Sequence, residues 1–444
     1  MKNADICIYL LIGLILSGLR RDSASNLPLT KKMTEATRQF IRDHAEDPLP
    51  ELLLNACRYP DVDVKAAVVQ IKARKQLRDK LPVWCRDERL IFPSTLAAEQ
   101  CSSEITALYK QRLVHNDDWI CDLTGGLGVD TYYFSRKVKH VTYIEKNEAC
   151  CDAVRSNFHI LGITNIHITH SDAVDFLKHN KDRLAHINVY YIDPARRGTG
   201  NKRLYAISDC EPDMMKISAL LPKRYRMIIK LSPMLDITQA LMLIPAVREV
   251  HIISVRNECK ELLIVAESNL CKRIDNQHTT SPIIYCVNYL TNGTEQSFYF
   301  RLADEQATVL PVAKHVGRFL YEPNASLLKA GAFKSVAWQY GVEKLHTSSH
   351  LYTSACPVTS FPGRLFEVTA VLPFNNRMCK TIHKTIPQAN ITIRNFPLKV
   401  DELRKRTRIN EGGDVYLFAT TLPDNQKVLI KCHRFVDELP RPET

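Results

Sequence analysis

Four carboxylates fall at the ends of successive apolar runs in the middle of this chain. Asp122 closes Trp119-Ile-Cys-Asp122, Glu145 closes Val141-Thr-Tyr-Ile-Glu145, Asp172 follows Ile166-His-Ile-Thr169, and Asp193 closes Tyr190-Tyr-Ile-Asp193. Carboxylates at the carboxyl ends of strands can accept hydrogen bonds from ribose hydroxyls and exocyclic amines, so they suit a nucleoside ligand. Asp122 leads into Thr124, Gly126 and Gly128, where glycine lets the backbone come close to a ligand. Asp193 leads into Pro194-Ala195-Arg196-Arg197. An acid there can accept hydrogen bonds, and the two guanidiniums can grip a phosphate bidentately or pair within the loop.

The elements that would carry these groups alternate. Apolar runs predict strands over 119–122, 140–145, 165–169, 187–193 and 225–231, with helices over about 129–137, 147–161, 172–179, 211–221 and 235–244. His251–Val255 and Glu261–Val265 are separated by so short a polar turn that only a hairpin fits. The expectation is an α/β domain, Rossmann-like, with a mostly parallel sheet whose last strand is antiparallel. Upstream, residues 34–90 have helical spacing with basic residues interspersed, and Ser94-Thr95 caps a helix running through Tyr109. Gln100, Ser103 and Thr106 would share one face of it.

The dinucleotide fingerprint has a third glycine where this chain has Thr131, which weakens a nicotinamide reading. Asp122-x-x-x-Gly126-x-Gly128 instead resembles the first motif of class I S-adenosylmethionine-dependent methyltransferases. That resemblance implies a seven-stranded sheet and S-adenosyl-L-methionine as cofactor. It assigns the ribose to Glu145, which lies 23 residues after Asp122, and the adenine to Asp172 and Ala173. Asp172 is equally explained as a helix N-cap. Asp193-Pro194 is similar to the (D/N)-P-P-(Y/F) motif of amine methyltransferases. Ala195 and Arg196 depart from it at the second proline and the aromatic position. Asp-Pro followed by arginine is also similar to uridine-C5 methyltransferases. Those place a cysteine nucleophile on the next strand, which here reads Ile228-Ile-Lys230-Leu-Ser232-Pro233 without one; Cys259 is a distant candidate.

Longer segments carry a wider resemblance: Phe92-Pro93 through Lys110, Lys230-Leu-Ser-Pro233, Glu258-Cys-Lys-Glu-Leu262, Arg394-Asn-Phe-Pro397 and Glu411-Gly-Gly-Asp414-x-Tyr416-Leu-Phe418. On these the chain resembles a bacterial family of RNA methyltransferases with a C-terminal THUMP-like domain. Residues 1–32 read as a leader or over-extended start, 33–112 as a helical region and 113–270 as the cofactor-binding domain. A ferredoxin-like module over about 275–345 and a THUMP-like domain over 346–444, both α+β, would follow. It further implies methylation of a base in tRNA or rRNA. The last domain carries a basic stretch that includes Lys399, and its Arg394, Arg404, Lys405, Arg406 and Arg408 are candidates to hold that RNA.

Composition fits. A net charge of +12 over 444 residues suits a polyanionic partner, though a solvated basic surface would look the same. Fourteen cysteines without C-x-x-C or zinc spacing point to reduced thiols, no metal and a cytoplasmic setting. Ile6–Leu19 is apolar but short for a membrane span. It reads as an over-extended start before Met33, an anchor or a signal, with no stable membrane association expected. The competing functions are a non-catalytic RNA-binding protein with a vestigial methyltransferase core and an NAD-dependent oxidoreductase.

Overall fold

A computed structural model describes residues 29–196, 210–268, 281–310 and 312–435. The apolar stretch at 6–19 and Arg197 lie outside the described residues. The chain divides into two compact units, the first ending at Asn188 and the second beginning at Val189.

In the first unit, Thr34 caps helix α1 (Glu35–Asp43) by accepting from the Thr37 N–H at 3.2 Å. Asp63 caps α2 (Val64–Leu77) in the same way. The single helix expected over 95–109 is instead broken at Cys101–Ser103. Ser103 acts as a fresh N-cap, accepting from the Thr106 N–H, and α3 runs from Glu104 to Gln111. Gln100 therefore does not share a helix with Thr106.

Strands β1 (Trp119–Asp122), β2 (His140–Glu145) and β3 (Ile166–His170) pair in parallel in that order. They alternate with α4 (Val129–Ser135), α5 (Glu148–Ile160) and α6 (Ala173–His179). One apolar cluster joins Ala73, Leu77, Trp84 and Phe92 of the helical region to Val129, Tyr132, Tyr143, Val154 and Phe158. Each large side chain fully buried there contributes about 2–3 kcal/mol.

In the second unit, β4 (Val189–Ile192) pairs in parallel with β7 (Tyr225–Leu231). The two-residue strands β5 (Ala195–Arg196) and β6 (Cys210–Glu211) form a ribbon after Asp193. Helices α7 (Met214–Leu220) and α8 (Ile237–Leu243) flank β7 in sequence. The hairpin is β8 (Val247–Val255) with β9 (Glu258–Ser268), and β9 runs antiparallel to both β7 and β8. The sheet continues beyond the expected hairpin: β10 (Ile283–Tyr289) lies parallel to β8, and β11 (Glu295–Arg301) folds back on β10.

A second, seven-stranded sheet follows, in the order β13-β14-β12-β15-β18-β17-β16. Its strands are β12 (Phe319–Pro323), β13 (Glu343–Lys344), β14 (Tyr352–Ser354), β15 (Gly363–Pro373), β16 (Asn390–Ile393), β17 (Val415–Thr421) and β18 (Lys427–Arg434). Helix α9 (Ala325–Ala330) follows β12, and α10 (Val400–Thr407) follows β16. Among the described residues, no helix is long and apolar enough to cross a membrane.

Candidate active site

Asp122 organises the glycine turn. Its carboxylate is 1% exposed and accepts from the Thr124 N–H at 3.0 Å and from the Thr131 hydroxyl at 2.5 Å. The residue standing where a third glycine would fall thus holds the acid that begins the turn. Gly128 has φ +80°, and a Cβ there would lie 2.9 Å from Phe158 Cζ. At Gly126, φ is +52° and a Cβ would meet nothing closer than 3.9 Å, so the turn faces open space. Sequence reasoning passed over Gly125, where a Cβ would overlap the Tyr143 ring. Burial, reinforced by the Glu145 charge, holds the Tyr143 hydroxyl well above its ordinary pKa. It stays protonated and donates to the Gly126 carbonyl at 2.6 Å.

Glu145 is half-buried at the end of β2. One oxygen accepts from the Gly126 N–H at 2.9 Å and the other from the Asn147 N–H at 2.7 Å. Each carboxylate oxygen carries two lone pairs, so capacity remains for a diol. Asp172 is exposed and is the N-cap of α6. Both of its capping bonds, from Val174 N–H at 2.8 Å and Asp175 N–H at 3.3 Å, end on Oδ1. The cap and ligand readings are compatible, because capping leaves Oδ2 to a ligand. Ala173, buried behind it, opens the helix.

A group that sequence reasoning left without a role lies beneath the turn. Lys110, on α3, is 0% exposed, and its Nζ sits 3.0 Å from Asp130 Oδ1 and 2.8 Å from the Ser102 hydroxyl. Ser102 in turn donates to Asp130 Oδ2 at 2.7 Å. Asp130 is in the first turn of α4, the helix opened by Gly128, so the cluster fixes that helix to α3. The signal was a lysine three residues after Ala107 and four after Thr106, both on the buried face.

In the second unit Asp193 follows β4, with half-buried Pro194 after it. The Asp193 carboxylate is paired with Lys230 of β7, at 2.6 Å between Nζ and Oδ2. Lys230 Nζ also lies 3.9 Å from Glu261 Oε1, on β9. Asp193 is therefore paired with a lysine, a contact sequence reasoning did not assign. The backbone of Arg196 is in β5; its side chain, like Arg197, is outside the described residues. Burial pushes the Cys259 thiol above its ordinary value, which keeps it from being a thiolate nucleophile.

The C-terminal basic residues divide. The Arg394 guanidinium is bound to buried Glu322 at 2.9 Å, alongside Arg364 on the same carboxylate. Arg404 donates to the Ile409 and Ala389 carbonyls. Lys399 precedes α10, where its N–H meets the Glu402 side chain. Lys405, Arg406 and Arg408 are exposed at the end of α10; Arg406 lies over the Phe374 ring, 5.2 Å from its centroid.

The glycine turn, the acids at the ends of parallel strands and the reversed strand β9 define a class I methyltransferase fold. Residues 319–362 match a ferredoxin-like domain family and residues 363–434 a THUMP domain-like family. The two share the second sheet, with β12–β14 in the former and β15–β18 in the latter. The chain is 34% identical to a putative methyltransferase from Porphyromonas gingivalis W83 of known crystal structure. That match covers 90% of this chain and 98% of the other, with a TM-score of 0.79. The chain belongs to the same family as that protein. It is also 29% identical over 102 residues to an uncharacterised RNA methyltransferase of Mycoplasma mobile. That match takes in 22% of this chain and spans about a quarter (27%) of that relative's length.

Proposed function

We propose that this protein is an S-adenosylmethionine-dependent methyltransferase acting on RNA in the cytoplasm. The observation that carries the cofactor reading is Asp172. It caps α6 through one oxygen only, so the other keeps its accepting capacity, and it follows β3, the strand paired with the end of β2 at Glu145, which is already tied to the glycine turn. Glu145 would take the ribose hydroxyls. Asp172 Oδ2 and the backbone at Ala173 would take the adenine, and the Gly126 turn, open where a side chain would project, would lie along the rest. When bound, the cofactor supplies a methyl group activated on a sulfonium. Asp193 and Pro194 would border the acceptor and orient it, since positioning is most of what a protein contributes to such a transfer.

The RNA reading is supported by the THUMP-like match and by the exposed cations Lys405, Arg406 and Arg408. Arg394 and Arg404 serve the fold of that domain through the bonds described above. Calorimetry of S-adenosylhomocysteine binding to the full chain tests the cofactor, and absence of binding would sink the reading. Methyl transfer to total RNA from a deletion strain, lost in Asp193→Ala, tests the reaction. Transfer that survives in that variant would remove Asp193 from the site.

A further inference from the structure

The helical region of the first unit holds a cavity of about 210 Å³, lined by none of the residues of the glycine turn. Helix α1 gives it Arg38, Ile41 and Arg42, which share one face. Helix α2 and its C-terminal cap give it Ile71, Arg74, Lys75 and Arg78. Met33, Ile71 and Leu90 are buried and form its floor, whereas Arg42, Lys75, Arg78 and Glu88 are exposed and stand at its mouth. Five cations and one carboxylate line it in all.

These charges are only partly cancelled. Each guanidinium has five N–H donors. Arg38 uses one, on the Glu88 carbonyl at 3.1 Å, and Arg78 uses one, on the Glu46 carboxylate at 2.9 Å. Lys75 Nζ lies 3.5 Å from that same carboxylate. Arg74 donates to the neutral carbonyls of Cys85, Glu88 and Leu90 and makes no ion pair among the described residues. The acids that do pair here, Glu35, Glu46 and Glu88, have side chains at least 59% exposed. Exposed pairs contribute little, so a stronger anion can displace them.

The cations also continue beyond the cavity. Residues 65–80 carry six lysines and arginines against one acid, Asp79. Lys65, Lys72, Lys75 and Arg78 are exposed along about 20 Å of helix. A row of that length suits a ligand with repeated anionic groups better than one small anion. On the other side of α2, Ala73 and Leu77 pack in the same apolar cluster as Val129 and Tyr132 of α4, the helix opened by Gly128.

Resting on the RNA reading above, we propose that the basic face of α1 and α2 binds the phosphodiester backbone of an RNA strand, with one phosphate seated at the cavity mouth against Arg38, Lys75 and Arg78. The spare guanidinium donors can grip phosphate oxygens bidentately. Such contacts set the register of a strand without reading its sequence. Because α2 shares a core with α4, a strand held there is fixed relative to the glycine turn within one body.

Fluorescence anisotropy of labelled dodecauridylate on the full chain, repeated over a range of salt concentrations, tests this. Each phosphate contact on a single strand contributes about 0.7 to the slope of log affinity against log salt. Arg38→Gln/Lys75→Gln/Arg78→Gln should therefore reduce that slope by about 2 and weaken binding roughly 100-fold at about 0.1 M salt. Glu46→Gln/Glu88→Gln removes the competing acids and should tighten binding several-fold, a gain that no folding defect produces. Uridine monophosphate at equal phosphate concentration should compete far less well than unlabelled dodecauridylate. An unchanged slope in the triple variant or no tightening in the double variant overturns the proposal and leaves the methyltransferase reading standing. Equal competition by uridine monophosphate would make the cavity a free-nucleotide site and overturns it as well. If the unaltered protein binds neither dodecauridylate nor total tRNA, the RNA reading itself fails.

Discussion

Replacing Lys110 with methionine keeps the side chain's length and apolar body and removes its charge. Asp130, 9% exposed, would then lose the ammonium 3.0 Å away and keep the Ser102 hydroxyl at 2.7 Å. Breaking one side of a buried ion pair costs about 3–5 kcal/mol, because the remaining charge is stranded. The surviving hydrogen bond to a charged group offsets about 1–2 kcal/mol. The expected loss is about 1–4 kcal/mol. Adding Asp130→Asn removes the stranded charge, so the double variant should be more stable than Lys110→Met alone. Urea unfolding followed through Trp84 and Trp119, both in the first unit, measures this. A Lys110→Met midpoint equivalent to less than about 1 kcal/mol of loss, or a double variant weaker than the single, would refute the view that this pair pins α4 beneath the turn.

Other outcomes follow from the same geometry. Gly128→Ala should cost more stability than Gly126→Ala. Both force a left-handed backbone at about 1–2 kcal/mol, but only the first also meets Phe158; equal losses in thermal melts would show that the Phe158 contact yields. Glu145→Gln should weaken S-adenosylhomocysteine binding roughly 10- to 100-fold by calorimetry, the loss of one or two charge-assisted hydrogen bonds. Asp172→Asn should retain α6, because asparagine is as good an N-cap, while presenting an amide in place of a carboxylate to the adenine; cofactor affinity should fall with no change in melting temperature. His350, stacked on Phe333, is held down to about 4 by burial and by the Lys344 and Arg394 charges. Below pH 6.5 the unfolded chain takes up a proton that the folded one refuses. Stability should therefore fall on acidification from pH 6.5 to 4, by about 1 kcal/mol once partial exposure is allowed for. His350→Asn should flatten that limb.

The strand–acid–turn–helix rhythm was legible because each strand is a short apolar run and each acid ends one. Thus β7 spans 225–231 as read from the sequence, and Asp122, Glu145 and Asp172 stand at or just past the strand ends. What the sequence hid depends on contacts between distant positions. Lys230 and Glu261 read as ordinary charges in two strands; parallel pairing of β4 with β7 brings Lys230 beside Asp193, and antiparallel pairing of β7 with β9 brings Glu261 to Lys230. Likewise 283–301 alternates like any amphipathic strand pair. Nothing in its pattern says that β10 adds to the edge offered by β8. The helix break at Cys101–Ser103 was concealed because Ser103 fits both a helical stripe and an N-cap. Arg394 shows the limit of charge reading, since its partner Glu322 lies 72 residues away.

The apolar cluster that unites Ala73, Leu77, Trp84 and Phe92 with Tyr132, Tyr143 and Phe158 bears on how this protein can be cut and recombined. A boundary drawn at the first strand would divide a single core, leaving Tyr132 and Phe158 open to solvent on one piece and Trp84 on the other. The helical segment therefore shares one core with the strands β1–β3 and their helices and is not a detachable accessory. Grafting the strand–helix half onto a foreign partner would have to supply a replacement for that wall.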